Sequence, residues 1–258
     1  MSQDTTTLGA SSISIKDVDY VYPSSGGDVT ALQNVTLEAK PNEIITIVGP
    51  SGCGKSTLLM LVAGLNKPTL GEVRIGSKLV DGPDEGLGVM FQTDLLLDWR
   101  TILQNVLLQS DIRKHDRAKS TERAKELLEV ANLAGFEGRY PRELSGGMRQ
   151  RVAICRTLLH DPRILLMDEP FAALDALTRD QMTTFLEKLW EEHPRTILFV
   201  THSIPEAVFL ADRVVVMSSR PGTIDRIIDI DLPRPRVESL RETPEFTRYV
   251  AEIRACFA

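Results

Sequence analysis

The chain has 258 residues, of which 42% are hydrophobic and 26% are charged, and its formal net charge is −6. This composition excludes an intrinsically disordered chain, and the acidic balance disfavours non-specific nucleic-acid binding, which requires a basic surface. The longest apolar runs are far shorter than the roughly 20 residues of a membrane-spanning helix, so we expect no such helix. Residues 1–12 lack the apolar region of a secretory signal, and the three cysteines form no CxxC motif. We therefore expect a reducing compartment, with no disulfide framework and no zinc site.

The first part of the chain predicts three strands and one helix. Residues 13–21 and 29–39 are typical of short strands, and the turn between them contains proline, serine and glycine. The continuous β-branched run Ile44–Val48 is typical of a strand that is buried on both faces of a sheet. A glycine-rich turn follows this run, and residues 55–65 then predict a helix.

The middle of the chain, from about residue 95 to residue 159, has a helical pattern. We expect Ser120 or Thr121 to be the N-cap of one helix in this region. The apolar residues of that helix recur at the spacing of a single face: Ala124, Leu127, Leu128 and Ala131.

Strands return in the last part of the chain, at residues 164–167, 197–200 and 214–217. A helix between the first two strands has an apolar face: Met182, Phe185, Leu186 and Leu189. This strand–helix–strand alternation predicts a parallel sheet with crossover helices. The tail from Arg220 predicts a short strand, a linker and a terminal helix with Thr243 as its cap and Pro244 at its first position.

Residues 49–57 match the pattern GxxxxGK[ST] between a predicted strand and a predicted helix, the context in which a phosphate-binding P-loop occurs. Glycines allow the backbone N–H groups to surround a phosphate chain, and the helix N-terminus adds partial positive charge. Lys55 would bring a full positive charge to the β- and γ-phosphates, and Ser56 would offer its hydroxyl to Mg²⁺. We therefore predict an ATP and Mg²⁺ site formed by Gly49, Pro50, Ser51, Gly52, Cys53, Gly54, Lys55, Ser56 and Thr57. The alternative is a glycine-rich turn that binds nothing. The position of the motif between a predicted strand and a predicted helix disfavours that alternative.

Two carboxylates follow the apolar strand at residues 164–167. Asp168 lies where the buried strand would end, so it could hold Mg²⁺, through water. Glu169 is the next residue and could polarise the attacking water as a general base. Without a P-loop upstream, a strand ending in solvated acids would be the better interpretation of this pair.

Residues 144–150, Leu-Ser-Gly-Gly-Met-Arg-Gln, resemble the LSGGQ signature of ABC ATPases, with Met148 where the consensus has glutamine. The segment lies between Ser56 and Asp168, as it does in that family. Four further residues are similar to family elements and follow the family's order: Tyr22, an aromatic that stacks on adenine; Gln92 of the Q-loop; Asp175 of the D-loop; and His202, the switch histidine. The resemblance extends over nearly the whole chain.

The resemblance implies a homodimer that closes head to tail around ATP. Each ATP would lie between the P-loop of one copy and the signature of the other copy, with Ser145, Gly146 and Gly147. Asp175 would also belong to the nucleotide-binding residues. His202 would contact the γ-phosphate and orient the water, and Gln92 would contact Mg²⁺. Together with Lys55 and Glu169, His202 would complete the catalytic set, while Ser56, Gln92 and Asp168 would be the metal-binding residues.

The resemblance also implies the fold, an α/β protein with a P-loop NTPase (RecA-like) core, an N-terminal antiparallel β subdomain and an inserted α-helical subdomain. We expect residues 1–258 to form a single ABC ATPase domain. Its nucleotide-binding core would comprise residues 1–94 and 160–220. Residues 95–159 would form the helical signature subdomain, and residues 221–258 a short C-terminal tail.

Three stretches resemble one subgroup of the family, the bacterial nitrate, sulfonate and taurine importer ATPases: residues 96–101, 201–207 and 219–222. Such a subunit would drive a separate integral membrane permease, which an extracytoplasmic solute-binding protein supplies, so contact with the binding protein would be indirect. The resemblance implies a peripheral protein at the cytoplasmic face of the inner (plasma) membrane, with no nucleic-acid partner. The choice of substrate would lie in the permease and the binding protein.

Two other classes remain open from the sequence. One is a non-transport ABC ATPase that acts in DNA repair, on chromosomes or on ribosomes, and the other is an exporter ATPase. The segment between P-loop and signature contains no heptad stretch of the kind found in chromosome-associated relatives. The chain also has one P-loop, whereas ribosomal relatives usually carry two cassettes. Both observations favour transport.

Some residues keep two interpretations. Cys53 is either a small filler or a thiol activated by the helix N-terminus, which alkylation would reveal. Trp99 is either a packing aromatic or part of a groove that receives a helix of the permease. His115, His160 and His193 fit no metal-ligand spacing and are expected at the surface.

Overall fold

The structure, a computed structural model, describes residues 12–23 and 26–257. In chain order, its strands are β1 (Ile13–Tyr22), β2 (Val29–Ala39), β3 (Ile44–Val48), β4 (Leu70–Ile75), β5 (Lys78–Leu79), β6 (Leu87–Met90), β7 (Ile164–Asp168), β8 (Thr196–Val200), β9 (Arg213–Met217) and β10 (Ile224–Asp229). The helices are α1 (Lys55–Val62), α2 (Ile102–Val106), α3 (Leu108–Arg113), α4 (Arg117–Val130), α5 (Gly146–Leu158), α6 (Ala176–Glu192), α7 (Ile204–Leu210) and α8 (Pro244–Ala255). Among the described residues, no helix has the length and apolar character needed to cross a membrane.

The strands form two sheets. One is antiparallel and has the order β2-β1-β4-β5, as predicted for the N-terminal region. The other has the order β10-β9-β3-β8-β7-β6, and its strands are parallel except for β10. Every residue of β3, β7 and β8 is buried, because helices and the other sheet cover both faces. These three strands are neighbours, so their carboxyl ends meet at one edge of the sheet.

Two hydrophobic clusters lie on opposite faces of the parallel sheet. Successive side chains of β3 alternate between them: Ile44 and Val48 belong to one cluster, and Ile45 and Ile47 to the other. The first cluster joins the sheet to α5, α6, α7 and α8, and the second joins it to α1 and the antiparallel sheet. Each large aliphatic side chain that is fully buried contributes about 1.5–3 kcal/mol, so the clusters fix the positions of the strand ends.

Helix α4 begins earlier than predicted, at Arg117, and the expected N-cap at Ser120 or Thr121 is wrong. The cap is Asp116. Its carboxylate accepts hydrogen bonds from two backbone N–H groups, those of Ala118 (2.9 Å) and Lys119 (3.2 Å). Aspartate caps a helix about as well as serine does, so residue preference alone could not choose between these candidates.

The ends of two other helices are also defined by the structure. Helix α1 ends at Val62 rather than near residue 65, because Gly64 has a left-handed φ of 70°. At the last helix, the Thr243 hydroxyl accepts a hydrogen bond from the N–H of Phe246 at 3.3 Å, and Pro244 is the first helical residue. The predicted start of α8 is therefore confirmed.

Candidate nucleotide-binding site

The P-loop (residues 49–57) joins β3 to α1 with a backbone that favours glycine. Gly52 and Gly54 have φ values of 75° and 102°, in the left-handed region. Gly54 is the N-cap of α1 and forms no side-chain cap, so the N–H groups at the helix start are available to an external anion. A Cβ atom on Gly54 would lie 2.6 Å from Leu32 Cδ2, so packing also requires glycine there.

The Lys55 ammonium group is held against this loop. Its Nζ donates hydrogen bonds to the carbonyl oxygens of Gly49 (2.8 Å) and Pro50 (3.0 Å), and only 7% of the residue is exposed. These main-chain contacts hold a flexible side chain in one orientation. A fixed positive charge therefore lies beside the backbone N–H groups, an arrangement that suits a phosphate chain.

A cavity of about 330 Å³ opens at the P-loop. Its walls come from residues 51, 52 and 54–57 of the loop, from Tyr22, and from residues that follow other strands: Gln92, Glu169 and Arg220. Gly49, Pro50 and Cys53 belong to the loop but do not line the cavity. Another cavity, of about 340 Å³, lies between α4, α5 and α6, and no predicted site residue lines it.

Tyr22, the last residue of β1, stands at the side of the cavity. Its hydroxyl lies 3.1 Å from the Thr57 hydroxyl, and its ring packs edge-on against Tyr20 with the ring centroids 4.8 Å apart. These contacts fix the ring while 40% of the residue remains exposed. A fixed, partly exposed aromatic ring is suited to stacking on a planar base.

Asp168, at the carboxyl end of β7, presents a buried carboxylate beside the P-loop. Its Oδ1 atom is buried without a hydrogen-bond partner among the described residues. The pKa of Asp168 is raised, and burial is the main cause. The hydrogen bond from Ser56 acts in the opposite direction and lowers the pKa. A divalent cation would satisfy the buried oxygen, and a carboxylate with a neighbouring hydroxyl is a ligand set that Mg²⁺ accepts. The residues present therefore fit the predicted metal.

Glu169 brings three predicted site residues together. Its Oε2 atom lies 3.3 Å from Gln92 Nε2 and 3.3 Å from His202 Nδ1. The three residues follow β6, β7 and β8, whose carboxyl ends lie side by side. Glu169 also has a φ of 46°, which is uncommon for a residue with a side chain and is typical of functional sites. This backbone conformation is held by a hydrogen bond from its N–H to the Val200 carbonyl at 2.9 Å.

The signature and the D-loop lie outside this cavity. Ser145 caps α5 by accepting a hydrogen bond from the Met148 N–H at 3.3 Å. Asp175 caps α6 by accepting one from the Thr178 N–H at 3.0 Å, and this bond is the main cause that lowers the pKa of Asp175. The two helix starts are close, since a Cβ atom on Gly147 would lie 3.2 Å from Thr178 Cγ2. Ser145, Gly146, Gly147 and Asp175 thus form a second group, which does not line the cavity of their own P-loop.

Exposure and contacts in the structure bear on the interpretations of five other residues. Cys53 is 1% exposed and packs close to Gly49, which favours the filler interpretation. Trp99 is 74% exposed, so the interpretation as a packing aromatic is wrong. His115 and His193 are exposed as expected, but His160 is half-buried, with Nε2 3.3 Å from the Leu87 carbonyl, and its expected surface position is wrong.

Arg220 and Glu206 are residues near the site that the motifs did not reveal. Arg220 lines the cavity from the connection between β9 and β10. Glu206, on α7, is 4% exposed and is bonded to Thr201, the neighbour of His202. Both residues occur in stretches that resemble the importer subgroup, but no spacing relates either of them to the P-loop.

A parallel sheet whose central strand leads through a glycine loop to a helix, with an acidic pair two strands away, defines a P-loop nucleoside triphosphatase. The ABC transporter family model matches residues 32–172. The chain belongs to the ABC transporter family as an ATP-binding subunit. Subunits of this class hydrolyse ATP and couple that hydrolysis to transport. The predicted family and the predicted fold are both confirmed.

Known proteins match nearly the whole chain. An uncharacterised ABC transporter ATP-binding protein of Methanocaldococcus jannaschii is 46% identical, over 93% of this chain and 90% of that protein. An aliphatic sulfonates import ATP-binding protein of Bacillus cereus is 40% identical over 93% and 94%. A nitrate import ATP-binding protein of Synechocystis is 42% identical over 93% of both chains. A dimeric ATP-binding cassette in a post-hydrolysis state, bound to ADP and phosphate, has a TM-score of 0.76 at 35% identity, covering 86% of this chain and all of the other.

Proposed function

We propose that two copies of this ATP-binding subunit close around two ATP molecules and drive a separate membrane permease that imports a small solute. The observation that carries this proposal is the contact of Glu169 with both Gln92 and His202 at the cavity that also holds Lys55. A phosphate-binding loop, a general base and two residues able to sense the γ-phosphate are thereby in one place. The chemistry they support is attack of water on a terminal phosphate.

Within the proposed site, the P-loop binds the phosphates and Tyr22 stacks on the adenine. The backbone N–H groups between Ser51 and Thr57 and the Lys55 ammonium group bind the β- and γ-phosphates. Gly49, Pro50 and Cys53 maintain the loop conformation behind them. The half-exposed Tyr22 ring provides the base-stacking surface.

Ser56, Asp168 and Gln92 would hold Mg²⁺ in the proposed site. When bound, the cation neutralises negative charge on the phosphate chain. The unpartnered buried Oδ1 atom of Asp168 supports this assignment.

Glu169 is the proposed general base, and His202 positions the water and the γ-phosphate. Their contact of 3.3 Å keeps the carboxylate and the imidazole within reach of one water molecule. Lys55 completes the catalytic set by stabilising the negative charge of the transferred phosphoryl group.

The second group of residues (Ser145, Gly146, Gly147 and Asp175) is proposed to act on the ATP of the partner copy. Their position outside the cavity of their own P-loop supports this proposal. The N-terminus of α5 would direct its partial positive charge at the partner's γ-phosphate. The similar cassette that binds ADP and phosphate is also a dimer.

The proposed permease contact is the loop that follows Gln92, where Leu95 is 53% and Trp99 is 74% exposed. An exposed tryptophan is a common anchor at protein interfaces. In this proposal, residues 95–159 transmit the contact to the nucleotide-binding core (residues 1–94 and 160–220), and residues 221–258 form the tail. The subunit would be peripheral at the cytoplasmic face of the plasma membrane, without a nucleic-acid partner, and a solute-binding protein would act indirectly. The proposed solute is of the nitrate, sulfonate or taurine type, and the relatives named for the import of nitrate and of aliphatic sulfonates support the first two of these classes.

Affinity purification of the tagged chain from detergent-solubilised membranes of its host tests this proposal. A polytopic membrane protein in stoichiometric amount would support it, and the variant Trp99→Asp should lose that protein. Leu79→Asp is the matched control, because Leu79 is 48% exposed on the antiparallel sheet. Recovery of ribosomal or DNA-repair proteins, with no membrane protein, would favour the soluble alternative.

A further inference from the structure

The turn between β9 and β10 is bonded to the strand that lies beside the P-loop. The Gly222 N–H donates to the Ala31 carbonyl at 2.9 Å, and the Gly222 carbonyl accepts from the Gln33 N–H at 3.0 Å. Within the turn, the Ser218 hydroxyl lies 2.9 Å from the Thr223 hydroxyl. These bonds fix the turn from both sides and set the position of Arg220 between them.

Gly222 also touches the P-loop directly. A Cβ atom at this position would lie 1.9 Å from the Cys53 carbonyl oxygen and 3.0 Å from Met217 Cε. The φ of Gly222 is outside the left-handed region, so its backbone conformation does not require glycine. The requirement comes from the close approach of the turn to the P-loop.

Arg220 extends from this turn to the P-loop backbone. Its Nε and Nη2 atoms both donate hydrogen bonds to the Gly52 carbonyl, at 3.2 and 3.1 Å. In a trans peptide the carbonyl and the N–H point in opposite directions, so a cation on the Gly52 carbonyl orients and polarises the N–H of Cys53. That N–H has a long contact of 3.4 Å to the Pro50 carbonyl. Cys53 does not line the cavity, so the contact of Arg220 acts by holding the peptide between Gly52 and Cys53 in one orientation beside Gly52, which does line it.

We propose that Arg220 is a positioning residue of the nucleotide site. It holds the left-handed Gly52 backbone in its phosphate-binding conformation and adds positive charge at a cavity that already contains Lys55. The inference rests on the proposed function of the P-loop as the nucleotide site. Because Arg220 acts through the loop and not on the γ-phosphate, it serves nucleoside diphosphates and triphosphates equally.

The test compares the binding of ATP and ADP, by competition with a fluorescent nucleotide, in the wild-type chain and in Arg220→Ala. We expect the dissociation constants of both nucleotides to rise by about fivefold to tenfold, as for the loss of one exposed charge-assisted hydrogen bond. Arg220→Lys should be intermediate, since an ammonium group keeps the charge but not the two-atom contact. In hydrolysis assays the KM for ATP should rise by a similar factor, while kcat stays within about twofold of wild type. Arg226→Ala is the control, because Arg226 is exposed on β10 of the same hairpin.

A second variant keeps the guanidinium but moves the turn. Gly222→Ala places a methyl group against the Cys53 carbonyl. It should lower the affinity for both ATP and ADP, as Arg220→Ala does. Gly82→Ala is its control, since a Cβ atom there would meet no atom of the described residues 12–23 and 26–257 within 4 Å. The thermal midpoint of Arg220→Ala without nucleotide should match that of wild type, because the Arg220 contact is exposed.

Unchanged nucleotide affinity in Arg220→Ala would overturn the inference. A lower affinity for ATP alone would also overturn it, and so would an equal fall in affinity in the control Arg226→Ala. A wild-type chain that binds no nucleotide would instead contradict the proposed function of the P-loop. The two failures are therefore distinguishable.

Discussion

The Thr201 hydroxyl donates a hydrogen bond of 2.6 Å to the buried carboxylate of Glu206. The Thr201 hydroxyl oxygen also accepts a hydrogen bond of 2.9 Å from the Ser203 N–H. Thr201 and Ser203 flank His202, so the backbone on both sides of the proposed switch histidine is anchored to Glu206 on α7. The exposed imidazole is thereby attached to a rigid element of the core.

The same carboxylate also faces the D-loop. Glu206 Oε1 lies 3.3 Å from Arg179 Nε, and Arg179 Nη2 donates to the Leu174 carbonyl at 2.9 Å. Leu174 immediately precedes Asp175, which belongs to the group proposed to act on the partner's ATP. One buried carboxylate thus connects the backbone of His202 with the backbone of the D-loop.

We expect Glu206→Ala to lower kcat for ATP hydrolysis by about tenfold or more, because a misplaced His202 no longer orients the attacking water. The KM for ATP should change little, since Glu206 does not line the cavity. Removing the buried acceptor of the Thr201 hydroxyl should also lower the free energy of unfolding, by about 1–3 kcal/mol. Glu206→Gln should recover part of the activity, because its amide oxygen can still accept from Thr201. The control is Glu129→Ala, an exposed position on α4, and full activity in Glu206→Ala would exclude the positioning role.

The stability contribution of Glu206 should depend on pH. The pKa of its carboxyl is raised, and burial is the main cause. The hydrogen bond from Thr201 acts in the opposite direction and lowers the pKa. Since the folded-state pKa lies above the unfolded value of about 4.3, this contribution is full below that value and is lost as pH rises through the raised pKa. The free energy of unfolding of wild type minus that of Glu206→Gln should therefore fall as the pH rises above the unfolded-state pKa of about 4.3 and through the raised pKa of the folded state. Urea titrations of both proteins at several pH values measure this difference in free energy of unfolding. A difference that increases with pH would contradict a raised pKa for Glu206.

Much of the core could be predicted because its signals are local. The β-branched run Ile44–Val48 can be stable only as a strand covered on both faces, and the glycine-rich turn and Lys55 after it indicate the phosphate site directly. The acidic pair Asp168 and Glu169 could be assigned because it follows another apolar strand, and parallel strands bring their carboxyl ends to one edge.

Contacts between distant parts of the chain could not be predicted in this way. Arg220 and Gly52 are 168 positions apart, and no periodicity or spacing connects them. The burial of His160 depends on its approach to Leu87 of β6, which only the tertiary structure defines. Similarly, Asp116 and Ser120 have nearly equal capping preferences, so the start of α4 is decided by packing.

We expect Lys55→Ala to abolish measurable ATP binding, because the P-loop would lose the ammonium charge that the Gly49 and Pro50 carbonyls hold in place for the phosphates. Equilibrium binding of a fluorescent ATP analogue measures this effect. Lys67→Ala is the matched control, because the Lys67 side chain is 71% exposed and pairs with Asp81 at the surface. ATP binding at wild-type affinity in Lys55→Ala would show that Lys55 does not bind the phosphates.

Glu169→Gln should bind ATP normally but hydrolyse it at least about 100-fold more slowly, because an amide cannot accept the proton of the attacking water. With hydrolysis blocked, ATP and Mg²⁺ should convert the variant to a stable dimer, which light scattering after gel filtration would detect. The exposed residue Glu192 on α6 provides the control variant, Glu192→Gln. Hydrolysis at the wild-type rate would eliminate Glu169 as the general base, and a monomer with bound ATP would contradict the ATP-dependent dimer.

The three cysteines should differ in their reactivity towards a maleimide reagent. Cys256 is half-buried near the end of the chain, whereas Cys53 and Cys155 are fully buried. Burial also raises the pKa of Cys155 to about 12, so its reactive thiolate form is rare at neutral pH. Mass spectrometry should therefore find Cys256 modified first in the native protein and the other two only in denaturant, with Cys256→Ser as the control. Rapid native modification of Cys53 that ATP prevents would instead support a reactive thiol in the P-loop.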